Sequence, residues 1–183
     1  MDIHPDLLKY TNLEYLGFIK NNKRNGFGYH YHHKNIQIKT KWSDGLIDDY
    51  VQIKNKERLV FVGKAVKAQL PNKKNHNFPA HEILENCEGF TRTYHSNGKL
   101  KYMGYISQSK KNSNFAVDFR KQGEFVYCGG YNNGKYHGKG TEYFENGKFR
   151  IKKLGVFNNG WLHGKGYYHN AEIGVEDDLV DEI

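Results

Sequence analysis

The chain has 183 residues, enough for one domain with a continuous core and short for two. Aromatic residues make up 15% of it, and 20 glycines stand against 3 prolines; that balance suits half-buried strands joined by tight turns and argues against a thick helical bundle. A net charge of +8 invites an anionic partner, two cysteines exclude a disulfide framework, and no apolar run approaches the roughly 20 residues of a membrane-spanning helix. With only Cys87 and Cys128, the chain reads as one from a reducing, cytoplasmic compartment.

Residues 1–14 begin "MDIHPDLL", acidic and broken by Pro5, and predict a short N-terminal cap rather than a secretory signal or a transit peptide. A phased series then opens at Tyr15-Leu16-Gly17, whose segment "GFIKNNKRNGFG" carries Gly26 and Gly28. Thr40 follows 23 residues after Gly17, and Gly63 follows 23 after that. The stretch from Val66 to Ile83, "VKAQLPNKKNHNFPAHEI", breaks the phase and reads as an inserted loop, with Lys and Asn content that makes disorder the default.

The phase resumes at Tyr102-Met103-Gly104 and continues through Tyr127-Cys128-Gly129 to Gly155. Turn glycines at Gly98, Gly123 and Gly147 precede these markers, each flanked by alternating aromatic and polar residues, which is a hairpin signature. The clearest copy lies near the end, where "GGYNNGKYHGKG" (Gly129 to Gly140) and "GVFNNGWLHGKG" (Gly155 to Gly166) agree at 8 of 12 positions. Gly134 and Gly160 are equivalent within them, as are Gly138 and Gly164. From Glu172 onward come six acidic residues and no basic ones, so residues 172–183 predict an acidic tail or cap, and residues 1–171 carry +14.

Alternation along a strand places both residues of a Gly-x-Gly on one side, leaving that side without bulk. A ring from a neighbouring hairpin can then lie on bare backbone, and Tyr127, Tyr131, Tyr143 and Phe157 are the rings expected there. One hairpin cannot bury such rings alone, which is the physical reason for repetition.

Tyr127-Cys128-Gly129 with Gly134 and Gly138-x-Gly140, and the near-copy to Gly166, resemble the MORN repeat (membrane occupation and recognition nexus); "TYHSNGKLKYMGYI" resembles the bacterial-type variant. The likeness covers residues 127–168 best, 15–28 less well and 40–126 weakly, where Thr40, Asp49 and Ser113 replace family glycines. It implies an all-β fold: an elongated single-layer antiparallel sheet of about six to seven stacked hairpins. The repeat domain is then residues 15–171, with short caps on either side.

No local motif predicts catalysis, a cofactor, a bound metal or a small-molecule substrate. "GKGTEY" lacks phosphate-loop spacing, and the repeat already explains its glycines. His30 and His32 share a strand face with His33 opposite, but no carboxylate or thiol follows at ligand spacing. Methyltransferase and lipid-kinase domains accompany some relatives of this resemblance, and the sequence has no room for either.

The expected function is therefore a non-enzymatic scaffold that contacts other proteins of a larger assembly, of the cytoskeletal, axonemal or viral-capsid type that the resemblance implies. The alternative is a peripheral protein that binds anionic phospholipid. Its candidate contacts are Lys23, Arg24, Lys73, Lys74, Lys110, Lys111, Arg150, Lys152 and Lys153, and it requires these pairs to share one face or edge. Nucleic acid is not expected, because no recognised motif accompanies the charge.

Overall fold

The computed structural model describes residues 14–32, 35–68, 87–145, 150–169 and 176–177. They are all-β, with no α-helix among the described residues. The chain divides into two compact units, residues 1–88 and 89–183, each an open antiparallel sheet of consecutive hairpins in a single layer.

The first unit runs β1 (Tyr15–Lys20), β2 (Lys23–His32), β3 (Ile36–Ser43), β4 (Leu46–Asn55) and β5 (Arg58–Ala68), each paired with the next. The second holds β6 (Gly89–Tyr94), β7 (Leu100–Ser107), the short β8 (Lys110–Lys111), β9 (Ser113–Phe119), β10 (Phe125–Asn132), β11 (Lys135–Tyr143), β12 (Ile151–Asn158), β13 (Trp161–His169) and β14 (Glu176–Asp177). Its order follows the sequence except that β8 pairs only with β7, which also pairs with β9. The loop expected from Val66 starts later, since Val66, Lys67 and Ala68 still belong to β5. Its remainder, both predicted caps and Gly147 lie outside the described residues, apart from Glu14 and the short strand β14 in the acidic tail.

Two-residue turns close the hairpins within the repeats. Asn133 and Gly134 (φ 53° and 84°), Asn159 and Gly160 (51° and 95°) and Asp44 and Gly45 (49° and 85°) all have both residues left-handed. That is the turn whose twist matches paired strands, and it selects Asn, Asp and Gly.

The phase residues form one cross-strand row in each unit. In the first, Gly17, Gly28, Thr40, Val51 and Gly63 are successive partners from β1 to β5. In the second, Gly104 lies beside Ala116, and Gly129, Gly140, Gly155 and Gly166 continue the row to β13. A spacing of 23 to 26 residues in the sequence is thus one step of two strands along the sheet.

Rings cover this row. A Cβ on Gly28 would sit 2.5 Å from the Tyr15 hydroxyl oxygen, and one on Gly140 would sit 2.5 Å from Cζ of Tyr127. Tyr102 covers Gly104 in the same way, while Ile38 and Phe61 hold the equivalent places on β3 and β5 and are buried. On β12 that place belongs to Lys153, and Leu162 covers Gly155 and Gly166 instead. Four residues further along, Trp42, Ala65, Ile106, Tyr131 and Phe157 form a second buried line. In the second unit these lines meet as a ring cluster: Tyr127 stacks on Tyr136 at 3.7 Å between centroids and contacts Tyr131 and Phe157 edge-on.

Two expectations about the rings are corrected. Tyr143 does not lie over the glycines; it points to the opposite face, 5.5 Å from the ring of Phe125. Nor do Gly138 and Gly164 make room for a ring, because nothing lies within 4 Å of a Cβ placed on either, whereas at Gly26 the ring of Phe18 lies 3.6 Å away. Gly138 instead has φ +70° and stands at a bulge, where Gly129 pairs with Gly140 but Tyr131 already pairs with Tyr136. The requirement there is backbone conformation and not space. Gly138→Ala is therefore expected to cost only about 1 to 2 kcal/mol, the strain of one left-handed alanine, measured as a small fall in the urea midpoint.

Candidate interaction surfaces

The bulge explains why the covering residue is tyrosine. Tyr15, Tyr102 and Tyr127 each donate their hydroxyl to the carbonyl three residues on, at Phe18 (3.1 Å), Tyr105 (2.8 Å) and Gly130 (3.0 Å). In the Tyr15 and Tyr127 repeats the ladder register shifts at that point, so the side chain supplies a partner where the strands are out of step. Sequence reasoning found the tyrosines but not this bond; their recurrence two residues before a phase glycine was the available signal.

The glycine-row face of the second unit also carries a polar cluster. Asp118 is buried on β9 and accepts hydrogen bonds from Lys111 Nζ at 2.7 and 2.5 Å and from the Tyr131 hydroxyl. The Lys111 ammonium lies 4.8 Å from the Tyr102 centroid and 4.9 Å from that of Tyr131, so one cation serves a carboxylate and two ring faces. Burial, and then the Asp118 carboxylate, push the phenols of Tyr131 and Tyr102 well above their ordinary range. The arrangement pins β8 to β9 and β10. Asp118→Leu should lower stability by about 3 kcal/mol, because the Tyr131 hydroxyl and Lys111 lose their acceptor together, and a urea titration reads the loss directly.

Among the lipid-contact candidates, Lys111 belongs to this cluster, and Lys152 and Lys153 both reach Glu142, at 3.3 and 3.9 Å. Arg150 lies 2.8 Å from His169 Nε2 and over the ring of Phe144, while Arg24 lies 4.9 Å from the centroids of Tyr15 and Trp42. Lys23 and Lys110 are exposed beside turns, and Lys73 and Lys74 lie outside the described residues. The described candidates are therefore divided among separate local contacts.

His30 is buried on β2, while the side chain of His32 and all of His33 lie outside the described residues. Among the described residues, no group of three or more His, Cys, Asp or Glu is placed to hold a metal ion. Cys87 is fully buried, and burial pushes its thiol up to about 12, far from a reactive thiolate.

The face opposite the glycine row differs between the units. In the second, Met103, Val117, Cys128, Thr141, Leu154 and Tyr167 are partners from strand to strand, giving a row without a charged residue from β7 to β13. Phe90, Tyr105 and Phe115 widen it at one end and are 45%, 55% and 65% exposed; Leu154 and Val156 stand out at the other at 45% and 44%. No family model and no curated protein matches this sequence. The surfaces themselves carry the functional reading.

Proposed function

We propose that this chain is a non-enzymatic interaction scaffold of the MORN-repeat kind, presenting its sheet to other proteins of a larger assembly. The observation that carries the reading is the uncharged row from Met103 to Tyr167 with the exposed rings beside it. Exposed apolar side chains gathered at the ends of such a row suit a docking surface, because leaving them in water forfeits the burial energy that a partner supplies. The ring-over-glycine repeat supports the family reading, and the pairing of Lys111, Lys152 and Lys153 with carboxylates favours a protein partner over a phospholipid surface.

The test is the native size of the protein in gently lysed source material, for the natural sequence and for a Tyr105→Glu, Leu154→Glu variant. A large, salt-resistant complex that the variant leaves, with its melting temperature unchanged, is expected. A variant that stays in the complex, or a natural protein that elutes as a free monomer, contradicts the reading.

A further inference from the structure

The first unit carries a different pattern on its corresponding face, one residue beyond the glycine row. There Phe18, Phe27, Lys41, Tyr50 and Lys64 stand on β1 to β5, every one exposed, with Phe18 at 74% and Phe27 at 64%; Phe18 itself pairs with Asn25 across a register shift. Phe27 is the cross-strand partner of Lys41, and Tyr50 is the partner of Lys64. Both the rings and the lysines repeat at 23 residues, so each pair recurs at the same place in two successive repeats. A third pair lies alongside, where Tyr29 faces Lys39 and the ammonium stands 5.5 Å from the ring centroid.

Neither Lys41 nor Lys64 forms an ion pair with a described carboxylate: Asp48 and Asp49 on β4 are bonded to neither, and Glu88, whose amide donates to the Lys64 carbonyl, makes no ion pair with the Lys64 ammonium. The rings do not serve the core, which lies on the other face in Ile38, Val51 and Phe61. Each pair thus combines an exposed π face with a cation that is in no ion pair with a described carboxylate, held side by side across strands roughly 4.8 Å apart. A flat ring beside a cation, repeated along a sheet, matches a polymer that alternates planar bases with phosphates.

We infer that this face of the first unit binds single-stranded nucleic acid, with Phe27 and Tyr50 stacking on bases and Lys41 and Lys64 meeting phosphates. The inference reverses the expectation drawn from the absence of a sequence motif. The signal lies in cross-strand register, which a linear motif search does not read.

Fluorescence anisotropy of a short fluorescein-labelled oligouridine, titrated with the full chain at several salt concentrations, tests this. Saturable binding that weakens as salt rises is expected. Replacing Phe27 and Tyr50 together by Ala should weaken it at least about fivefold, the lower end for loss of a stacked base. Replacing Lys41 and Lys64 together by Gln should flatten the log-log salt slope by about 1.4, or about 0.7 for each phosphate that is no longer neutralised. All four side chains are exposed, so both variants should keep the natural melting temperature. Lys139→Gln with Lys165→Gln, exposed on the second unit, is the charge control and should bind as the natural chain does.

No oligonucleotide binding at low salt overturns the inference. So does binding that Phe27→Ala with Tyr50→Ala leaves unchanged, or that the charge control weakens as much as Lys41→Gln with Lys64→Gln. Binding to phosphatidylserine vesicles without binding to oligouridine overturns it in favour of a membrane surface.

Discussion

Gly140→Val is expected to destabilise the second unit by about 4 kcal/mol, in the range of the severest core substitutions, and to lower the melting temperature by roughly 10 °C. A Cβ at Gly140 meets Tyr127 at 2.5 Å from Cζ and 2.8 Å from Cε2, so the ring must leave. It has nowhere to go. Tyr127 is stacked on Tyr136, held edge-on by Tyr131 and Phe157, and bonded through its hydroxyl to Gly130. Expelling it opens the centre of the ring cluster and leaves a buried carbonyl without its donor. The comparison with Gly138→Ala is the informative part, since the two glycines are two residues apart and fail for different physical reasons. Equal, small losses for both would contradict the placement of Tyr127 over the row.

The second large effect is alkaline unfolding. Burial, as the first cause in each case, raises the phenols of Tyr102, Tyr127, Tyr131 and Tyr136; negative neighbours add to it, and Tyr136 reaches about 12. In the unfolded chain these phenols titrate near 10. Each folded pKa is raised, so the contribution of these groups is fully present below about pH 10 and is lost as pH rises through the folded values. The melting temperature should therefore fall steadily above about pH 10, with phenolate absorbance from these four tyrosines appearing together with loss of strand signal. Tyr131→Phe removes the most strongly shifted phenol and should make the decline shallower. Phenolate formation by these tyrosines at full strand content would contradict their burial.

The register was legible in the sequence to an unusual degree. Gly17, Thr40, Gly63, Gly104, Gly129 and Gly155, marked by Tyr-x-Gly triplets and by spacing, stand in the cross-strand rows of the two units even where Thr40 replaces glycine. The reason is that a hairpin repeat fixes the chain length between successive passes of one row, so period in the sequence becomes position in the sheet. Local chemistry read less well. The two glycines of Gly138-x-Gly140 look equivalent in a sequence, but a bulge in the ladder separates them, and bulges arise from pairing between strands. Asp49, read in the sequence as replacing a family glycine, stands at the equivalent bulge of β4 with φ 154°.

The lysines were harder still. Lys111 and Lys110 are neighbours in sequence, yet Lys111 joins Asp118 while Lys110 stays in solvent, because successive side chains of a strand leave on opposite faces. Lys41 and Lys64 carry no signal in the sequence, since neither adjoins another basic residue and only cross-strand pairing puts each beside a ring.

Each proposed surface depends on the strand register of its own unit, so the most direct test is whether the tyrosines lie on the phase glycines. Nuclear Overhauser contacts from the Tyr127 ring protons to the Hα protons of Gly140, and from the Tyr15 ring to those of Gly28, would measure it. The account predicts both contacts, with Hα resonances displaced upfield by the ring current, and no such displacement at Gly138. Unshifted Gly140 and Gly28 resonances without ring contacts would contradict it, and with it the division of the sheet into the two faces described.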